Sequence, residues 1–361
     1  MWKFCTYLSK SFTFIWLTVV FGFLVLIGLL DSLANGGDII GEGGQFSDTF
    51  RYMLYRAPVI FDRIFVFTLC VAMLLTFVKL IRQHELVALL GFGISVPKQI
   101  GLLSPAVIGA SIFSILVINT AMPPAVRALQ AWGIGEYKTR NITDTKPLWM
   151  EDGPRIVRAA RRTSMDTLGK LEIFTRNASG AVISVIWADS AQYKDGKGWM
   201  LSGIQSLPIE GADGEPRLAL RDPNPMMWET QQTPASIARL AAEPRDLSLA
   251  DMRTFRVEGN SGSKPSFAYG FWYLHRITRP IAAFILLLCA VPIMQQTGRE
   301  ATGDKALITG IAGGFLFLII DGAMATFASS GGIAIGAAIT LPLVIFGLLG
   351  AFLCVRTESL A

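Results

Sequence analysis

The sequence predicts a polytopic α-helical membrane protein of six transmembrane helices, interrupted by an inserted all-β domain. Three observations predict it. Charge is scarce: of 361 residues 52% are hydrophobic and 16% charged, with a mean hydropathy of +0.48, where a soluble domain carries about 25% charge. Charge is also unevenly placed. Lys10 and Asp31 enclose 20 uncharged residues, Arg279 and Arg299 enclose 19, Lys305 and Asp321 enclose 15, and Asp321 and Arg356 enclose 34 with "SSGG" in the middle. About 20 apolar residues rising 1.5 Å each cross a hydrocarbon core of about 30 Å. Lastly, residues 123–275 break the apolar pattern and read as short strand segments parted by turn residues.

Taken in order, the spans are expected near 11–32, 58–79, 101–122, 276–296, 306–327 and 333–355. The first ends near "SLA" (Ser32 to Ala34), a small-x-small pattern that could follow a signal peptide. Its apolar run exceeds the roughly 7–15 residues of a signal h-region, so an uncleaved span is expected. The second is the least clean, because Asp62 and Arg63 lie near its start. "GGDIIGEGG" (Gly36 to Gly44) reads as a flexible loop between them. Basic flanks set the orientation. With the N-terminus inside, inner loops hold Lys3, Lys10, Lys79, Arg82, Lys98, Arg299, Lys305 and Arg356, and the first outer loop holds Arg51 and Arg56. Both termini are then cytoplasmic and residues 123–275 lie outside. The chain divides into spans one to three (1–122), the outer domain (123–275) and spans four to six (276–361).

Within the outer domain, "RIVRAARR", "KLEIFTR", "AVISVIWADSAQYK" and "GWMLSGIQSLPI" are strand-like runs separated by Gly, Asn-Ala-Ser or Asp-Gly. "YKDGKGWML" reads as a hairpin turning at Asp195-Gly196. The spacing suits an all-β sandwich or open barrel, with helix or loop over 234–256. Residues 125–270 hold 19 Lys/Arg against 17 Asp/Glu, so the overall charge of +5 comes from membrane flanks and does not point to nucleic acid. Arg155, Arg158, Arg161 and Arg162 form a basic run. Alternation places them on two faces, as expected of a solvated strand edge more than of one anion-binding face.

Several chemistries are excluded. There is no GxxxxGK[ST], GxSxG or HExxH, and Cys5, Cys70, Cys289 and Cys354 have no metal spacing. The two histidines, His84 and His275, fall on opposite sides of the membrane, each at a headgroup boundary. What remains is charge near membrane depth, which is costly unless it meets water or a partner. Asp31, Asp62, Arg63, Arg276, Arg279 and Asp321 all lie toward the outer ends of their spans. They could line an outward cavity beside charged headgroups, or the arginines could snorkel to the interface. Asp321, short and embedded in apolar sequence, resists the second reading best.

One segment is left, "KLIRQHELVALLGFGIS" (Lys79 to Ser95), between spans two and three. Leu80, Val87 and Leu90 recur at near-helical spacing, broadened by Leu86 and Leu89, while Arg82, Gln83 and Glu85 take other faces. Gly91 and Gly93 stop the helix and Pro97 opens the next. Such a helix either rests on lipid or seats in a groove of a cytoplasmic partner.

"HELVALLGFGIS" resembles the cytoplasmic coupling segment of the LptF/LptG permeases. "PLWMEDGPRIVR", "IWADSAQYKDGKGWMLSG", "LHRITRPIA", "TGIAGGFLFLIIDG" and "AITLP" resemble further family segments, in order along nearly the whole chain, nearer the LptG branch. The resemblance implies a transmembrane subunit of an ABC transporter, with six spans and a periplasmic jellyroll-like domain, in the bacterial inner membrane. Its partners would be a homologous permease subunit, a cytoplasmic ABC ATPase dimer, a periplasmic jellyroll bridge protein and a single-span anchor. Its cargo would be lipopolysaccharide, extracted from membrane lipid. It implies no cofactor in this chain, ATP and Mg being bound by the ATPase. Arg82, Glu85, Leu86, Leu89, Gly91, Gly93 and Ser95 would dock on that ATPase. Asp31, Arg51, Arg56, Arg63, Arg276, Arg279 and Asp321 would line the lipid cavity. Two departures stand out: the loop after span one has no lysine, and Val66 stands where the family has a proline. A reading of another class is a non-transporting envelope sensor or assembly scaffold, which would bring down no ATPase.

Overall fold

The structure, a computed structural model, describes residues 2–40, 45–134, 137, 142, 147–164, 166–194, 198–209, 220–222, 224–230, 232–258, 264–296 and 304–359. Helices α1 (Trp2–Ala34), α2 (Gly36–Ile39), α3 (Phe46–Arg82), α4 (Glu85–Gly91), α5 (Val96–Thr120) and α6 (Met122–Trp132) come first. Strands β1 (Leu148–Asp152), β2 (Arg155–Ser164), β3 (Thr167–Arg176), β4 (Val182–Lys194), β5 (Gly198–Pro208), β6 (Leu220–Asp222) and β7 (Met226–Trp228) follow. Helices α7 (Pro234–Ala241), α8 (Leu249–Glu258), α9 (Ser266–Ile277), α10 (Arg279–Gln296), α11 (Asp304–Ser329) and α12 (Ile335–Ser359) complete the chain. Among the described residues five helices are long and apolar enough to cross a membrane, and the count is six when α9 and α10, bent by 52°, are taken as one span. The protein is thus a polytopic helical membrane protein with an antiparallel β insert. The loop read as flexible after α1 begins with the turn of helix α2, because Gly36 to Ile39 complete one helical turn; Gly41 to Gly44 lie outside the described residues.

By contact the chain divides into two compact units, one of Met1–Gly36, Phe46–Met122 and Gly270–Ala361, the other of Gly37–Gln45 and Pro123–Tyr269. In the first, α3 is the buried rod. Phe65, Leu69, Met73 and Phe77, spaced by one helical turn, are at most 1% exposed. Helices in lipid gain little from hiding apolar surface, so close packing and polar contacts must hold them together. Both occur here. A Cβ built on Gly310 of α11 would stand 2.4 Å from Leu74, and one on Gly314 would stand 2.8 Å from the Cys70 sulfur. Two glycines four residues apart therefore let α11 lie against α3. The Gln295 amide donates to the Gln99 side chain at 2.6 Å, and Gln99 donates on to the Ile94 carbonyl at 3.1 Å, tying α10 to the start of α5.

The fourth span starts at Ser266, ahead of the residue 276 expected. Pro280 has no N–H to offer the helix and crowds the preceding turn. The chain bends there, with Thr278 returning its hydroxyl to the Leu274 and His275 carbonyls at 3.1 Å.

In the second unit the strands form one seven-stranded antiparallel sheet in the order β1-β2-β3-β4-β5-β6, with β7 also on β5. Strands β1 to β6 follow a meander, each pairing with its sequence neighbour, while β7 returns to β5. The hairpin turn expected at Asp195-Gly196 lies outside the described residues, though Lys194 pairs with Gly198 beside it. Trp199 and Trp228 fill the core and each indole N–H is satisfied, by the Gln232 carbonyl at 2.7 Å and by Asp152 at 2.9 Å. The arginine run is absorbed by the sheet. Arg158 pairs with Glu172 across the strands at 2.6 Å, and Arg162 is 6% exposed, reaching the Ser164 carbonyl at 3.2 Å. Burial pushes the Arg162 guanidinium below its ordinary value, with Asp166 partly offsetting it. Helix α7 starts with a capping box in which Thr233 and Ser236 satisfy each other's backbone N–H at 3.1 and 2.9 Å.

Candidate functional site

Two groups of residues in the first unit are candidates for function, one at each end of α3. At the Arg82 end the helix stops because His84 adopts φ +59, a left-handed conformation uncommon outside glycine. The next turn, α4, restarts at a new angle. Gly93 at φ +69 closes it, and the Ile94 N–H returns to the Leu89 carbonyl at 3.1 Å, the six-to-one bond of a Schellman close. Ser95 then takes the N-cap position of α5 without a side-chain hydrogen bond, and Pro97 occupies the first turn.

This restart changes which residues face out. Leu86 and Leu89, expected to dock on a partner, are 3% and 5% exposed and belong to the core of their own unit. Val87 and Phe92 are 64% and 84% exposed. The expected stripe of Leu80, Val87 and Leu90 assumed one continuous helix, but the break at Gln83 and His84 resets the phase. The Leu90 side chain lies outside the described residues. Beside the exposed face runs a groove of about 300 Å³, with Phe4, Ala88, Phe92 and Leu102 among its walls and Leu89 in its lining. Glu85 lines it too and accepts the Tyr7 hydroxyl at 2.9 Å, joining α4 to α1. Arg82 reaches Asp304 at 3.5 Å with both side chains exposed, a contact of small energy. Gly91 is exposed and Ser95 half-buried.

At the other end, three acids meet three bases. Asp31 of α1 accepts Arg56 Nε at 2.8 Å and the Tyr52 hydroxyl at 2.9 Å, both from α3. Asp62 of α3 pairs with Arg279 of α10, with side chains 1% and 4% exposed. The same guanidinium donates to Ser114 of α5 at 3.3 Å and lies 5.8 Å from the Phe65 ring centre. Asp321 of α11 holds His275 Nε2 between its oxygens, at 3.1 and 3.0 Å. Phe271 stacks on that imidazole at 5.3 Å. His275, Thr278, Arg279 and Asp321 line one small pocket.

Of the predicted lipid-cavity residues, Arg56, Arg279, Asp31 and Asp321 are therefore committed to interhelical pairs, and Arg276 is buried at 2%. Arg51 and Arg63 are exposed, Arg51 lying over the Tyr55 ring at 5.6 Å. The partners Tyr52 and His275 were not among the predicted site residues, and Asp62 was read as a cavity-lining charge without its partner. The signal for Asp62 was in the sequence: an acid in an apolar stretch requires a cation, and span four opens with one. His275 offered none, because a histidine at a span end reads equally well as a headgroup residue. Among the described residues no group of three or more His, Cys, Asp or Glu could hold a metal ion.

Residues 6–356 match the family model described as lipopolysaccharide export system permease LptF/LptG. The chain is similar to the lipopolysaccharide export system permease protein LptG of Haemophilus influenzae, at 24% identity over 228 residues, covering 57% of this chain and 61% of that protein. It is similar to the same protein of Escherichia coli K12 at 23% over 221 residues, covering 57% and 61%. The matched stretch thus spans about three fifths of the length of these relatives.

Proposed function

The chain belongs to the lipopolysaccharide export permease family LptF/LptG, nearer LptG, and from that membership we propose that it is the transmembrane subunit of an ABC exporter of lipopolysaccharide. The observation that carries the reading is the match across residues 6–356, which includes both ends of α3. The protein is a multi-pass inner-membrane component with both termini in the cytoplasm and the β unit in the periplasm, an orientation supported by the basic flanks. It pairs with a homologous permease subunit over a dimer of a separate ATPase, which binds ATP and Mg. Cargo leaves toward a periplasmic bridge protein, with a single-span anchor completing the assembly.

The geometry supports a division of labour along α3. Val87, Ala88 and Phe92, exposed beside an apolar groove, suit a partner that presents its own apolar side chain. Leu86 and Leu89 anchor α4 to the core, so force on the exposed face passes into α3. At the far end the exposed Arg51 and Arg63 suit the phosphates of an anionic lipid. The paired Asp31–Arg56, Asp62–Arg279 and Asp321–His275 join α1 to α3, α3 to α10 and α9 to α11, and suit clasps that hold the cavity wall.

The test is to purify the chain from its native membrane and identify the companions and bound lipid by mass. An ATPase subunit and lipopolysaccharide are expected. Full transport by vesicles lacking any ATPase, or isolation with neither companion, overturns the reading.

A further inference from the structure

We infer that the groove between α1 and α5 is a binding site for one anionic phospholipid of the bilayer. Two contiguous hollows form it, of about 510 and 590 Å³, sharing Ser9, Thr13 and Leu17. Each falls in the roughly 300–1,000 Å³ range of small-molecule sites. The α5 side is made of Pro105, Ala106, Gly109, Ala110 and Phe113, whose small members leave room for a hydrocarbon chain.

An apolar groove on a membrane helix would ordinarily hold any lipid tail. The donors on α1 make this one selective. Ser9, Thr13 and Trp16 are spaced i, i+4 and i+7, on one face of the helix. Trp16 is 3% exposed, and its indole N–H is buried without an acceptor. Trp199 and Trp228, equally buried, both satisfy theirs. Thr18 and Ser32 on the same helix return their hydroxyls to carbonyls four residues back, at 2.9 and 2.7 Å. Ser9 and Thr13 make no such bond among the described residues. In hydrocarbon an unanswered donor costs free energy, because no water reaches it. The acceptors a bilayer supplies are acyl-ester carbonyls and phosphates.

Lys10 supplies the charge complement. It is exposed, lines the outer hollow, and precedes Trp16 by six residues, roughly 9 Å along the axis. A phosphate at Lys10, ester carbonyls among Ser9, Thr13 and Trp16, and a tail along Ala106 to Ala110 fit a diacyl phospholipid with a net negative headgroup. The site lies toward the Lys10 end of α1, and Asp31 lies 15 residues beyond Trp16, roughly 22 Å along the helix. Trp16 at its inner edge packs on Phe61 and Phe65, whose neighbour Asp62 pairs with Arg279.

The experiment uses the intact assembly in detergent, with phosphatidylglycerol and phosphatidylethanolamine of equal chain length added, and counts retained lipids by native mass spectrometry. One phosphatidylglycerol per chain is expected to persist in preference to phosphatidylethanolamine. Lys10→Gln with Thr13→Val should lower its retention about five-fold. Gly109→Leu should do the same by filling the groove; no atom lies within 4 Å of a Cβ there. Equal retention by wild type and both variants overturns the site. A photo-crosslinker at position 109 should capture phospholipid, and capture of lipopolysaccharide or of a protein helix instead overturns the assignment. Because lipid count and ATPase co-purification are read from the same sample, failure of this site and failure of the exporter reading are distinguishable.

Discussion

At the scale of single residues, the Asp62–Arg279 pair is the most consequential contact of the helical unit. Both side chains are out of solvent, and each charge is tolerated only because the other is present. Removing one partner strands the other. Arg279→Leu should lower stability by about 3–5 kcal/mol, read as an earlier unfolding transition in detergent. Asp62→Leu combined with Arg279→Leu should lose less than the worse single variant, because neither charge is then orphaned. Loss equal to the sum of the singles would show that the two side chains act independently. Asp321 is different. It is half-buried, bonded to an imidazole, and sits in a small pocket with Thr278 and Arg279. Asp321→Leu should leave the membrane-inserted amount unchanged while reducing lipopolysaccharide export several-fold, measured in cells that depend on this copy. Undiminished export would assign the pair to packing alone.

At the scale of elements, α4 has a buried side at Leu86 and Leu89 and an exposed side at Val87, continued by Phe92, and the docking proposed for the second can be tested apart from the first. Val87→Asp with Phe92→Asp should cut ATPase co-purification about tenfold while changing the chain's own stability by no more than about 0.5 kcal/mol. Leu86→Ala should instead cost about 2–5 kcal/mol of stability through a core cavity. If Leu86→Ala loses the ATPase with full thermal stability, the leucine faces the partner after all. This element also shows how far the sequence was legible. The uncharged runs of 15 to 34 residues placed α1, α10, α11 and α12, because little else competes with so long an apolar stretch. Strands β2 to β5 were legible from β-branched runs ending in Gly or Asn. The exposed face of α4 was not, because it depends on the left-handed turn at His84, and histidine does not announce that conformation. The start of span four was hidden in the same way. His275, Arg276 and Arg279 made the segment look extramembrane, yet Arg276 and Arg279 are 2% and 4% exposed. Hydropathy counts a charge as exposed to water; only the partner, here Asp62 for Arg279, shows that it is not.

At the scale of the whole helical unit, α3 is the member that the others pack upon: α1, α5, α10 and α11 all touch it, and α4 hangs from its end. At 1.5 Å per residue its 37 residues reach roughly 55 Å, and Arg56 and Asp62 stand roughly 39 and 30 Å from the Arg82 end, where α4 follows. A rod can carry displacement between those ends only if its sides are held, and the α11 seam is held by absent side chains. Gly310 admits no Cβ while Leu74 keeps its place, since the two would stand 2.4 Å apart. Gly310→Leu should therefore destabilise by about 1–3 kcal/mol, as overpacked interiors do. Leu74→Ala removes the atoms in the way, so the double variant should recover part of the loss, with a coupling of at least about 0.5 kcal/mol. Thermal unfolding of all four forms in one detergent gives the cycle. Strict additivity would mean that α3 and α11 are not in contact at this seam, and the rod would lose its lateral support there.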